Sequence, residues 1–460
     1  MPTDPALLAE RKRTVAAHMA GDLAAARKLY GAYLARCPGD QTMWSNLGAL
    51  LRREGMHAMA VHAQRRAHAI APDTRAVRNN LANILADTGA AQEALALRMQ
   101  LIEEEPDDAG LAAMIGKTLR TLGRTSEAVE HLERACAAHP EDAELVIQLA
   151  LSLLSHGEYA RGFAMFEARW LTGELTARQV ARPKWGGGSL AGQRILVLPE
   201  QGFGDTIAFV RFLPVLRRFG PARVTLAVER PLRRLFGGIA GVDATDGDPA
   251  DTDAFDVWTN VMDLPTVHFA SGADVPAPAR LTVPQAATDR ARAMMAPHRD
   301  RFRVGVVWTG SQTYRGNAFR SFGHDRFAGL IDVADLQMVS LYKGPRLAEF
   351  HADGTAQFIL DAGASEADFA DNAAMMREMD LVVTSDTATA HLAGSLGVPV
   401  WTLLHWDAFW LWQRGDATPW YPSMRLIRQA VPGDWDDVFA RVRAGIESEI
   451  ATWRARRCAS

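Results

Sequence analysis

Three cysteines in 460 residues, Cys37, Cys136 and Cys458, are too few and too scattered for a disulfide framework or a thiolate metal site. Their scarcity fits a reducing compartment. No segment approaches 18 consecutive uncharged apolar residues, so nothing reads as a membrane-spanning helix. The first residues, Met1 to Arg13, hold no apolar run of signal-peptide length, and a cytoplasmic protein without membrane insertion is expected. Charge of one sign is also missing. Fifty Lys and Arg against 54 Asp and Glu leave a net charge of −4, which offers no general attraction to nucleic acid or anionic lipid. What remains is an ordinary globular composition, 48% apolar and 23% charged, in a chain long enough for two to four cores.

Against this plain background one regularity stands out. Glycine recurs at Gly21, Gly55, Gly89, Gly123 and Gly157, and proline at Pro38, Pro72, Pro106 and Pro140, with one constant step throughout. Five units follow, at 7–40, 41–74, 75–108, 109–142 and 143–176, the first and last degenerate. In the second unit Trp44, Leu47, Gly48, Leu51, Gly55, Ala60, Ala67 and Pro72 fall on the tetratricopeptide pattern of large, small and turn residues. Small residues let two helices approach, glycine turns the chain between them, and proline blocks continuation into the next unit. Such units cannot bury their apolar faces alone and stack into a superhelix with a concave binding surface. An α superhelix is therefore expected over 1–176.

Residues 177–193, which include Trp185-Gly186-Gly187-Gly188, break the period and read as a linker. Beyond them short apolar runs alternate with amphipathic stretches. Strands are predicted at 194–198, 223–228, 303–308, 337–341, 358–360, 381–386 and 398–404, and a helix over 434–456. Parallel sheets covered on both faces follow. A polar Ala/Pro/Asp-rich connection near 271–300 divides them into two Rossmann-like domains, 194–297 and 298–460, facing a cleft.

Four places carry candidate chemistry. Gly202-Phe203-Gly204-Asp205 is a strand-to-helix turn whose glycines would admit a ligand to the following helix N-terminus. Ile207 stands where a dinucleotide fingerprint needs a third glycine, and Glu229 comes late for its acidic residue, so a dehydrogenase is disfavoured. Helix capping by Asp205 is the plainer alternative. Second, Ser385-Asp386-Thr387 leads from a strand into an alanine-rich helix bearing His391, an arrangement suited to a phosphate ester or to simple capping. Third, Trp308-Thr309-Gly310-Ser311 precedes Arg315, Asn317 and Arg320, and Lys343 follows the next strand; Arg320 and Lys343 are candidate phosphate partners at the cleft rim. Last, the aromatic-rich stretch from Leu404 to Tyr421 reads as packing against the sheet in preference to stacking on a base or sugar.

Together, the Gly-Phe-Gly-Asp turn, the run Val304 to Ser311, the run Ser385 to Val400, Trp420-Tyr421-Pro422 and Gly433-Asp434-Trp435 resemble the GT-B glycosyltransferases of the heptosyltransferase-like group. The resemblance implies metal-independent, inverting transfer from a nucleotide-sugar, which is a substrate, so no cofactor is expected. It implies Asp205 as general base, and Gly202, Gly204, Trp308, Gly310, Ser311, Arg320, Lys343, Ser385, Asp386, Thr387 and His391 around the donor. Arginine followed by Ser-Phe at 320 departs from the lysine-tryptophan-proline of heptosyltransferases, which counts against a heptose donor. The layout with repeats is similar to the O-linked N-acetylglucosamine transferases, and more so to bacterial flagellin-modifying glycosyltransferases. That likeness implies a protein acceptor recruited by the repeats, flagellin among the candidates, modified on Ser or Thr with a nonulosonic acid. By similarity to the N-acetylglucosamine transferases, Asn46, Asn80 and Asn83 on first helices would grip the acceptor backbone; exposed polar residues on a helix are the alternative. A transferase acting on lipopolysaccharide or another glycan, and a non-catalytic scaffold retaining the fold, are the competing readings.

Overall fold

Asp40, Thr74, Asp108 and Asp142 keep the same period as the glycines, each standing immediately before the first helix of a repeat. In the computed structural model, which describes residues 4–314 and 316–459, the side chains of Asp40, Asp108 and Asp142 accept from backbone N–H groups of the first helical turn. Arg315 lies outside the described residues. The helices run in hairpin pairs: Pro5–Met19 with Leu23–Arg36, Gln41–Arg53 with His57–Ile70, Arg75–Asp87 with Ala91–Glu104, and Ala109–Thr121 with Thr125–Ala138. Gly21, Gly55, Gly89 and Gly123 turn each pair at φ between +76° and +85°, the left-handed region that a side chain resists. Gly48 and Gly116 serve close contact instead. A Cβ on either would lie 2.6 Å from Gln64 or 2.4 Å from Leu132, on the second helix of its own repeat. Ion pairs tie the first helix of a repeat to the aspartate that caps the first helix of the next, as in Arg11–Asp40 at 2.9 Å and Arg75–Asp108 at 2.6 Å.

The chain divides into two units, Met1–His156 and Gly157–Ser460. This boundary falls inside the fifth unit of the repeat period, ahead of the one expected at 176, and the reason is local. The fifth repeat keeps its first helix, Ala143–His156, but its second is cut to Tyr159–Met165 and ends in a 3-10 turn, Phe166–Trp170. Tyr159 and Phe163 find their partners in the second unit rather than in the repeat stack. They stack on Phe269, and Phe163 meets Phe209 and Trp410 edge-on. The last half-repeat thus belongs to the core of the second unit.

That unit contains two parallel sheets. Strands β1 (Arg194–Leu198), β2 (Arg223–Leu226) and β3 (Val257–Asn260) form the first, ordered β2-β1-β3. Strands β4 (Phe302–Val307), β5 (Leu336–Ser340), β6 (Leu360–Asp361), β7 (Leu381–Ser385), β8 (Val400–Leu404) and β9 (Met424–Arg428) form the second, ordered β6-β5-β4-β7-β8-β9. β3 and β9 have no counterpart among the predicted strands: Val-Trp-Thr-Asn ends in two polar residues and forms neither an apolar run nor an alternation, and Arg425 interrupts β9. β6 begins at the residue where the predicted strand ends. The predicted helix near the end is Trp435–Ala459. The expected linker is docked rather than free. Trp185 donates its N–H to the Trp258 carbonyl at 2.7 Å, Trp258 returns its indole N–H to Arg182 at 2.9 Å, and Leu190 is fully buried.

A fragment 157–460 is expected to unfold cooperatively. A fragment 177–460 lacks Arg169, the cation of buried Glu200 and a partner of Asp263, an omission worth about 3–5 kcal/mol. Thermal unfolding followed by circular dichroism checks this, and equal melting of the two fragments would contradict it.

Candidate functional site

In the six-stranded sheet the chain winds outward from β4 through β5 to β6, then returns to the other side of β4 and continues through β7, β8 and β9. The neighbours β4 and β7 therefore bracket a switch point, where loops leaving adjacent carboxyl ends diverge and open a crevice. Thr309 and Gly310 leave β4; Ser385, Asp386 and Thr387 leave β7. Gly310 lets them come together: a Cβ there would lie 2.8 Å from Thr387 Cγ2, 3.0 Å from Arg320 Nη2 and 3.4 Å from Asn317 Oδ1. Asn317 organises this corner, accepting from Gly310 N at 3.3 Å and from Arg320 Nε at 3.3 Å and donating to Thr309 Oγ1 at 3.1 Å. Arg320 also lies over the Tyr314 ring, 4.5 Å from its centroid.

The helix that follows, Ala388–Leu396, starts with no side-chain cap on its N–H groups. Free N–H groups and the positive end of the helix dipole favour an anion there. Against it lies the short helix Phe203–Phe209, which follows β1. A Cβ on Gly204 would come within 2.9 Å of His391 Cδ2 and 3.2 Å of Ala388 Cα, so glycine permits two helix starts from two sheets to touch. Asp205 Oδ2 accepts from the Gly202 N–H at 3.1 Å: Gly202 stands at the cap position and Asp205 is the third residue of the helix, so it reaches back to the turn rather than capping the helix itself.

The electrostatics of this meeting point are unusual. Burial, reinforced by the negative charges of Asp386 and Glu200, pushes Asp205 up to about 6 despite its bond from Gly202. Burial raises Asp386 also, opposed by Arg320, the Trp412 indole and Arg428. His391 is driven down to about 3 by burial and by the cations of Arg211 and Arg320, so its imidazole is neutral. Its Nδ1 is 3.0 Å from the Tyr421 hydroxyl, and its ring stacks on Trp412 with centroids 4.9 Å apart.

Not every anticipated residue joins this cluster. Gly202, Gly204, Asp205, Gly310, Arg320, Asp386, Thr387 and His391 converge, and Ser385 lies beneath them, fully buried with its hydroxyl unpartnered among the described residues. Trp308 does not. It is 1% exposed and packs on Tyr342 and Phe350, because the side chain after β4 alternates into the core. Ser311 is exposed and its hydroxyl pairs with Thr313 at 2.9 Å. Lys343 gives its ammonium to the Glu366 carbonyl beyond β6. The aromatic stretch packs as read: Trp410, Trp412, Trp420 and Tyr421 are all buried.

Several contributors are invisible in the sequence. Arg211 is buried, donates to the Ala208 and Trp420 carbonyls at 2.8 Å each, and covers Tyr421. Arg428 reaches the crevice from β9, where an arginine ending an apolar strand is the only signal. In the repeats, each of the three asparagines is engaged between helices. Asn46 meets the Tyr30 hydroxyl, Asn80 donates to Ser45 at 3.0 Å, and Asn83 accepts from the buried Arg98 at 3.0 Å. Their bonding is that of a polar seam between helices.

Among the described residues, no helix is long and apolar enough to cross a membrane, and no group of three His, Cys, Asp or Glu side chains could hold a metal ion. A tetratricopeptide-repeat family model matches residues 16–165, so this part of the chain carries tetratricopeptide repeats. The chain is similar to Protein FlbA of Caulobacter vibrioides, at 24% identity over 455 residues, covering 93% of this chain and 76% of the relative. Among solved structures it is similar to MamA AMB-1, at 21% identity and a TM-score of 0.32, over 36% of this chain and 97% of the other. It is also similar to YrrB, described as a TPR protein with an unusual peptide-binding site, at 14% identity and a TM-score of 0.31, over 35% of this chain and 82% of the other.

Two substitutions probe the meeting point. Gly204→Val should cost about 1–3 kcal/mol, since backbone as well as the His391 ring must yield; urea unfolding measures it. Asp205 is harder to ionise folded than unfolded, so between its ordinary value and about 6 the native state binds the extra proton, and stability falls as pH rises through that window. Asp205→Asn should therefore stabilise the protein by about 2 kcal/mol at pH 8 and leave it nearly unchanged at pH 4. Melting curves at both pH values decide it.

Proposed function

We propose that the chain is a glycosyltransferase that moves a sugar from a nucleotide-sugar donor to a Ser or Thr hydroxyl of a protein recruited by the repeats. The observation that carries this reading is the convergence of an uncapped helix start, Arg320, Thr387 and Gly310 with the carboxylate of Asp205 at facing carboxyl edges of two parallel sheets. The first group suits a diphosphate or phosphate ester; the second suits a base. A carboxyl titrating near 6 is ionised at neutral pH, yet basic enough to take a proton from an acceptor hydroxyl as that oxygen attacks the anomeric carbon. As the bond to the departing phosphate breaks, its growing charge would be met by Arg320 and the N–H groups at 388 and 389. Neutral His391 can share a hydrogen bond there without adding a competing positive charge.

The repeats support a protein partner, because stacked helical repeats expose extended binding surfaces. Flagellin, modified with a nonulosonic acid, is the acceptor and sugar we favour from the layout of the chain.

The experiment has two stages. Thermal shifts with CMP, UDP, GDP and ADP identify the base, and one nucleotide should raise the melting temperature well above the others. With the matching nucleotide-sugar and an acceptor protein, intact mass measures transfer. Asp205→Asn should bind that nucleotide normally and lose transfer by at least about a hundredfold. A protein that binds none of the four nucleotides yet captures the acceptor would be a repeat scaffold, and the transferase reading would fall.

A further inference from the structure

We infer that Arg169, supplied by the segment following the helical repeats, is a positioning residue of the candidate site: it locks the carboxyl ends of β1 and β3 together and so fixes the turn that carries Asp205. Its guanidinium is buried, with the residue 5% exposed, and every nitrogen has a partner. Nε and Nη2 clamp Glu200 in a bidentate pair, 2.7 Å each, and Nη2 also donates to Asp263 Oδ1 at 2.6 Å. Nη1 donates to the Phe166 carbonyl at 2.9 Å, and the rings of Phe166 and Trp170 flank the cation at 4.6 and 4.9 Å. Arginine's planar fork is what this geometry uses; a lysine could not hold both carboxylates in one plane.

The clamp is connected to the site by a short covalent path. Glu200 follows β1 by two residues and is itself only 3% exposed. The next residue, Gln201, has φ 58°, a left-handed backbone that costs a non-glycine residue on the order of 1 kcal/mol and persists only where both flanks are held. Its side chain donates back to Glu200 at 3.3 Å. Gly202 comes next and gives its N–H to Asp205. On the other strand, Asp263 accepts from Asn260 N at 3.3 Å and Nδ2 at 3.1 Å, and pairs with Lys184 at 3.1 Å. A buried ion cluster is a poor source of net stability compared with apolar packing of the same volume. Its directional bonds are therefore better explained by placement than by adhesion.

The clamp also offsets part of a charge that Asp205 already meets, since Glu200 raises Asp205 even with Arg169 bound to it. The groups facing Asp205 are Glu200 on its own turn, Asp386 beyond β7, the hydroxyls of Tyr421 and Tyr314, and neutral His391 on the helix packed against it. Without Arg169, Glu200 becomes an uncompensated anion on that turn.

The test uses the full chain with aspartate carboxyl carbons labelled, and reads the pH midpoint of Asp205 by carbon NMR, with Asp205→Asn assigning the signal. Arg169→Gln should raise the midpoint by about one pH unit, a tenfold change in the protonation equilibrium. Arg169→Gln combined with Glu200→Gln should return it to the starting value or below, because the Glu200 charge is then gone altogether, and Arg169→Lys should fall between the natural protein and Arg169→Gln. A folded Arg169→Gln protein whose Asp205 midpoint stays put overturns the proposal. If that variant does not fold, Arg169→Lys decides by the same criterion. The readout needs neither donor nor acceptor, so its failure is separate from failure of the transferase reading.

Discussion

The second unit is organised by one close approach, that of Gly204 to His391 and Ala388. Two parallel sheets could each bury a core without regard to the other, because each has its own covering helices. At Gly204 the absence of a side chain lets the helix leaving β1 rest on the start of the helix leaving β7. That contact sets two carboxyl edges face to face and brings Asp205 within the electrostatic reach of Asp386. Close packing transmits such a constraint, since interiors have little slack. The buried carboxyl, the neutral imidazole and the arginines around them then follow from taking polar groups out of water together.

Burial is the common cause of the strongly shifted groups at the crevice. Asp205 and Asp386 are pushed up, His391 pushed down, and Arg428 lowered to about 10. Isolated burial of any one of these would be costly. Together they form a network in which cations moderate one carboxyl and keep the histidine neutral, so the site holds a basic oxygen beside positively charged surroundings. Such opposed environments in a small volume mark a place where charge can be moved at modest cost.

Much of the fold is legible in the sequence because it rests on local rules. Glycine in left-handed turns, aspartate caps and small residues at helix contacts are all requirements of single positions, so the period exposes them. Strands such as β1 and β7 are visible as unbroken apolar runs. β3 is not, since half of it is the polar pair Thr259-Asn260, and β9 is masked by its arginines. The candidate site is half legible for the same reason. Residues in turns after strands, such as Asp205, Gly310 and Asp386, announce themselves by neighbours in sequence. Trp308 and Lys343 share that address but point elsewhere, since alternation along a strand and a competing carbonyl decide where a side chain goes. Arg169, Arg211 and Arg428 find their partners among residues remote in the chain, and no local pattern encodes that.

The truncated fifth repeat has a consequence for how such a chain can change over generations. Whole repeat modules upstream of position 156 can be duplicated or lost in phase, because each contacts only its neighbours. The half-repeat at 157–170 cannot take part in that exchange, since its aromatic rings and Arg169 are committed to a different core. Length is therefore adjustable at one end of the array and frozen at the other. A lineage could vary how much surface it offers to partners while the joint to the α/β unit stays the same.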